Sequence, residues 1–256
     1  MAEPRSWAEK LMAQAASANT ARHPAERGLI GQTFYIIFQS ITLLLVALLF
    51  SILVEWTGMI FLWQDEGTAH SRNMLATELS YLNEDFKRSI VTTSPARFAQ
   101  RFADSFYHYG FEWTRFVDFM AWLQEPPYSE DSRLRTSMRK IYVPVAEYLL
   151  AAMTVTQVFA VRMAVLTLAM PVFLLFGLVG VTDGLVQRDL RRWGGGRESS
   201  FVYHHAKRFI LPIVLGAWFI YLSMPVSVHP NYVILPFAAL FAMAVAITSG
   251  TFKKYL

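Results

Sequence analysis

The densest set of chemistry-bearing side chains lies in Thr182–Arg208, TDGLVQRDLRRWGGGRESSFVYHHAKR. Here six cations, Arg188, Arg191, Arg192, Arg197, Lys207 and Arg208, stand with Asp183, Trp193 and three successive glycines. Arginine and tryptophan are enriched among interface anchors, so Asp183, Arg188, Arg191, Arg192, Trp193 and Arg197 are the candidate partner-binding residues. The spacing also puts some of the arginines near Asp183 on one helical face, as an end-cap with surface ion pairs. Glycines 194 to 196 ahead of Arg197 let backbone amides approach an anion. The run lacks the lysine-serine ending of a nucleotide loop, however, which disfavours a nucleotide site, and reads instead as a flexible break after a helix. His204 and His205 are adjacent, about 100° apart on a helix, and cannot jointly hold a metal or haem from one face. No cofactor or metal is expected.

Three further charges, Glu55, Glu147 and Arg162, lie towards one end of the apolar segments. They predict a Glu55–Arg162 or Glu147–Arg162 pair between the first span and the second helical stretch. Such charges mark a pathway in transporters. Here they sit at boundaries rather than at midplane, and four spans without repeated halves make a poor secondary transporter. Ser223 and His229 flank a short turn that has neither a glycine elbow nor oxyanion donors, and no pair of histidines brackets a glutamate at metalloprotease spacing. The chain is not expected to be an enzyme.

The elements that position these residues follow from composition. The chain has 256 residues, of which 54% are apolar and 16% charged, against roughly 25% charged in soluble domains. With no cysteine, disulfides and thiolate chemistry are excluded. The pI of 9.3 is explained by loop cations at a membrane face, so direct nucleic-acid contact is not expected. The expected fold is an all-α integral membrane protein: four transmembrane helices with an α-helical periplasmic insertion between the first and second.

Residues 1–32 read as a cytoplasmic amphipathic segment and 33–56 as the first span, since about 20 helical residues cross a ~30 Å hydrocarbon layer. Residues 57–162 form the periplasmic insertion and 163–183 the second span. Residues 184–207 are the basic cytoplasmic loop, 208–224 the third span, 225–231 a short periplasmic turn, 232–250 the fourth span and 251–256 a cytoplasmic tail. The loop cations place both termini in the cytoplasm of a bacterial inner membrane. No cleavable signal peptide is evident, so the first span should act as an anchor. Within the insertion, Leu75, Leu79, Leu82, Phe86 and Ile90 predict an amphipathic helix of about 25 residues. Ser94-Pro95 opens a second carrying Phe98, Phe102 and Phe106. Trp113, Phe116, Val117 and Met120 predict a third, stopping before Pro126-Pro127.

At Thr182–Arg208 the chain resembles the family of small inner-membrane proteins encoded in integrative and conjugative elements, and the resemblance extends over most of the chain. It implies a place in the type IV secretion apparatus that moves DNA between bacteria, because such proteins are encoded beside the conjugative coupling ATPase. It also implies the four-span topology, with Asp183, Gly184, Arg188, Arg191, Arg192 and glycines 194 to 196 as family-like positions; no catalytic residues come with it. The resulting expectation is an accessory inner-membrane component that docks or supports the coupling ATPase, with other secretion components and membrane lipid as partners. The alternative is a small-solute or lipid-handling membrane protein.

Overall fold

A computed structural model describes residues 29–84, 94–126, 133–194 and 200–252. Residues 1–28 of the expected amphipathic lead-in, Phe86, Ile90, Gly195, Gly196, Arg197 and the last four residues lie outside the described residues. Seven α-helices and one π-helical turn make up the described structure, with no strand among the described residues: α1 (Leu29–Phe61), α2 (Thr68–Glu84), α3 (Pro95–Tyr107), the π-turn (His108–Glu112), α4 (Phe116–Gln124), α5 (Arg133–Trp193), α6 (Ser200–Ser223) and α7 (Pro230–Thr251). The chain divides into residues 1–44 and 45–256. In the first unit the described part is the opening of α1, where the Ser40 and Thr42 hydroxyls donate to the carbonyls of Ile36 and Phe38 one turn back. The apolar helix thereby absorbs these two small polar side chains.

In the second unit α5 is the organising element. Its 61 residues make a rod of about 90 Å, three times the ~30 Å hydrocarbon layer. It runs without interruption through residue 162, with Pro144 and Pro171 inside it. α1, α5, α6 and α7 are each long and apolar enough to cross a membrane, by length and composition. Much of their large apolar surface is outward: Leu174, Leu178, Val179, Leu235 and Met243 are all exposed. That is the pattern of helices whose solvent is lipid.

Two of these helices meet through missing side chains. A β-carbon on Gly180 would collide with the Ala242 carbonyl, one on Gly184 with the Ala246 carbonyl, and one on Gly177 would stand 2.9 Å from the Phe241 ring. Residue numbers rise together along both helices, so α5 and α7 run parallel, Gly177, Gly180 and Gly184 against Ala242, Ala246 and Gly250. In lipid no hydrophobic force drives helices together, and van der Waals contact between closely approaching backbones takes its place. The structure uses these glycines as the contact.

The insertion folds on the part of α5 before residue 162. Met120, Leu123, Tyr142 and Met153 form its buried core, flanked by Tyr107, Phe111, Phe116 and Val117. α3 starts at Pro95, in the first-turn position the sequence predicts, and buries Ala99 and Ala103. α2 is described over 17 residues, with the remainder of the expected helix outside the described residues. α4 is finished by two arginines one turn apart on α5. Arg135 donates to the Trp122 carbonyl (2.8 Å). Arg139 donates to the carbonyls of Leu123 (3.0 Å) and Glu125.

Gly184→Val and Gly180→Val each push a side chain into backbone that cannot yield, a cost of about 1–3 kcal/mol or more. The thermal midpoint of the detergent-purified chain should fall for both. Gly110→Ala, whose new methyl meets nothing within 4 Å, should leave it unchanged.

Candidate functional site

Two sites gather charged side chains. The first is buried. On α2 the residues turned fully inward are Ser71, Met74, Glu78 and Leu82, a face displaced from the leucine stripe read in the sequence and containing a carboxylate. Glu78 is 0% exposed and faces Arg162 of α5, 1% exposed. Arg162 Nε and Nη2 donate to Glu78 Oε1 at 2.9 and 2.7 Å. Nη1 donates to the Met224 carbonyl and Nη2 also to the Val226 carbonyl at 2.8 Å. The Tyr221 hydroxyl donates to Glu78 Oε2 at 3.0 Å, and its ring centroid lies 5.5 Å from the guanidinium carbon. Ser227 adds a bond to the Met74 carbonyl (3.2 Å).

This corrects the expected Arg162 pairing. Glu147 stands on the same helix, about 22 Å up its axis, and is exposed. Glu55 is buried, but its carboxylate is taken by His70 Nδ1 at 3.1 and 3.2 Å, and His70 stacks on Trp63 at 4.0 Å. Glu78 was missed because a glutamate amid Met74 and Leu82 reads as the polar edge of an amphipathic helix. The available signal was its four-residue spacing from both. Nε, Nη1 and Nη2 of the guanidinium and both carboxylate oxygens are all engaged, so the arrangement ties α2, α5 and the α6–α7 turn together. It leaves no group poised to react.

Removing one partner of such a pair strands a buried charge at a cost of about 3–5 kcal/mol, whereas replacing both by apolar side chains is often neutral. Glu78→Leu and Arg162→Met should each lower the thermal midpoint sharply. The double variant should recover most of the loss, as a double-mutant cycle on the purified chain measures.

The second site is the far end of α5, where the candidate partner-binding residues fall. The structure separates their roles. Asp183 is exposed and accepts from Gln187 Nε2 at 2.7 Å, not from an arginine, because Gln187 is the residue one turn on along its face. Arg191 donates to the Gly250 carbonyl in the last turn of α7, fastening the parallel pair where backbone acceptors run out of helical partners. Arg188 is half-buried with Nε 3.8 Å from Asp189. Arg192 is exposed, Trp193 is 91% exposed, and with Asp189 they line a recess of about 380 Å³. Arg197 lies outside the described residues. On α6, Tyr203 packs edge-on against Phe252 at 5.9 Å and carries Lys207 over its ring at 5.9 Å. Three helix ends thus meet at one basic surface with a free indole. Such a surface can take a carboxylate by Arg192 and an apolar side chain by Trp193.

No curated protein and no solved structure matches the chain. A family model does: IncC plasmid conjugative DNA transfer protein DtrJ-like, over residues 62–253. The match includes α2 to α7 and with them Glu78, Arg162, Tyr221 and the basic end of α5. It agrees with the resemblance to proteins of conjugative elements, and carries a role in conjugative DNA transfer and association with the transfer machinery. The chain belongs to the DtrJ-like family of conjugative DNA transfer proteins.

Proposed function

We propose that the chain is a non-catalytic accessory subunit of the conjugative type IV secretion apparatus, held in the inner membrane by four spans with both termini in the cytoplasm. Its basic α5 end docks or supports the coupling ATPase. The observation that carries this reading is the division of labour among the arginines. Arg191 is spent on α7, while Arg192 and Trp193 stand exposed beside it on a fastened helix end. A protein-binding surface requires this: anchors presented on a rigid frame, at low ordering cost. The excess of cations at that end supports a cytoplasmic placement. Asp189 beside Arg192 gives the surface a mixed character that suits a folded protein partner better than a polyanion.

In cells carrying a full transfer system, Trp193→Ala and Arg192→Ala should each lower transfer frequency by ten-fold or more, the effect of about 1.4 kcal/mol lost from an anchor. The amount of protein in the membrane should not change. A photo-crosslinker at position 193 should capture the coupling ATPase. Capture of lipid alone, with normal transfer by both variants, would remove the docking reading. Arg191→Ala should act differently, lowering the thermal midpoint of the purified chain through its lost bond to α7.

A further inference from the structure

The Glu55–His70 pair differs from Glu78–Arg162 in one chemical respect: both of its members can change charge. Glu55 of α1 is 1% exposed. Nδ1 of His70, in the first turn of α2, reaches both of its oxygens at 3.1 and 3.2 Å. The imidazole is pinned there. Its ring stacks on Trp63 at 4.0 Å, and the indole lies so close over α1 that a β-carbon on Gly58 would run into it. The connecting turn is closed by its own backbone, with the Leu62 and Trp63 amides donating to the Gly58 carbonyl and the Glu66 and Gly67 amides to the Trp63 carbonyl. The Ser71 hydroxyl, beside His70, donates to the Thr68 carbonyl. Among the described residues no arginine or lysine forms an ion pair with Glu55, so its carboxylate depends on one ring nitrogen.

We propose that this pair is a proton-operated latch, which holds α2 to α1 more firmly when it takes up one proton. With a carboxylate and a neutral imidazole the buried pair carries a net negative charge, which removal from water disfavours. One added proton brings the sum to zero, whether it rests on the imidazole beside the carboxylate or on a carboxyl group donating to Nδ1. The two groups share that proton and titrate as a unit. The surroundings act in the same direction. Glu66 in the connecting turn adds negative charge near Glu55, and Glu147 Oε2 of α5 stands 3.8 Å from the place that a β-carbon on Gly67 would take. In the unfolded chain the two side chains are hydrated apart and gain nothing from sharing a proton. The folded chain therefore binds more protons than the unfolded one across the range where histidine changes charge, about pH 5 to 8, and stability rises as pH falls through it. Arg162 offers no such control, because a guanidinium keeps its charge. Since α2 also carries Glu78, the latch acts on the helix that meets Arg162.

The test is the thermal midpoint of the detergent-purified full-length chain at about pH 8 and about pH 6. Other histidines titrate in the same range, so the reading is a difference between variants. Glu55→Gln and His70→Gln each keep a polar side chain that cannot change charge. On going from the higher to the lower pH the wild type should gain roughly 2–4 °C more than either variant. His108→Gln removes an exposed histidine paired with exposed Glu112, and should keep the wild-type gain. Equal gains in the wild type, Glu55→Gln and His70→Gln overturn the proposal, and so does a loss confined to one of the two. A second measurement uses the wild type alone. Hydrogen exchange of the amides in the first turns of α2, corrected for the intrinsic effect of pH, should be about ten-fold slower at the lower pH. The α3 amides should show no such change. Equal corrected protection of α2 at both pH values would also overturn the latch. Neither readout involves a transfer partner, so the latch and the docking reading fail separately.

Discussion

A helix leaves its last carbonyls without intrahelical partners, and in an apolar setting each must be satisfied by something else. In this protein that need is met largely from one element. Arg135 and Arg139 of α5 bond to carbonyls at the end of α4, Arg162 to carbonyls just past the end of α6, and Arg191 to the last turn of α7. A guanidinium is suited to the task because it offers several donors in a fixed plane and carries positive charge to the negative end of a helix dipole. The long α5 is therefore a frame on which three other helices terminate. Its 61-residue continuity is what sets those ends at fixed levels.

Arg162 shows what such a fastening demands when it is buried. A guanidinium 1% exposed carries its charge away from water, and Glu78 supplies the counter-charge while Tyr221 satisfies the carboxylate's second oxygen. The consequence reaches beyond the pair. Glu78 belongs to α2, so the ion pair fixes the insertion to the bundle at the level where α6 turns into α7. Between those fastenings α5 packs in parallel on α7 through Gly180 and Gly184. Polar fastening at the ends and backbone-close apolar contact between them divide the work by environment.

This rigidity bears on how a protein of conjugative DNA transfer can present its surfaces. The basic end presents Arg192 and Trp193 on a helix whose neighbour Arg191 is anchored to α7. At the other extreme of α5, beyond Arg162, exposed Leu134 and Ile141 stand on a helix braced by α4. One continuous rod thus displays two surfaces on either side of the apolar bundle.

Much of this was legible in the sequence. Apolar runs at 33–56, 163–183, 208–224 and 232–250 announce the long helices. Pro95 and Pro126 delimit insertion helices, because proline fixes backbone geometry whatever surrounds it. The basic Arg188–Arg208 segment and its family likeness stand on residue types alone. What the sequence left open is which distant residues meet. Glu78 and Arg162 are separated by 84 positions, and periodicity reports only how one helix averages its exposure, not what packs against it. Glu55 and Glu147 were equally plausible partners until the course of α2 along α5 was known. Arg191 with Gly250 and the close approach at Gly180 and Gly184 were decided the same way. Local backbone preference and hydrophobicity act along the chain and are written in it, whereas the pairing of a buried charge depends on three-dimensional distance, which only the packed helices define.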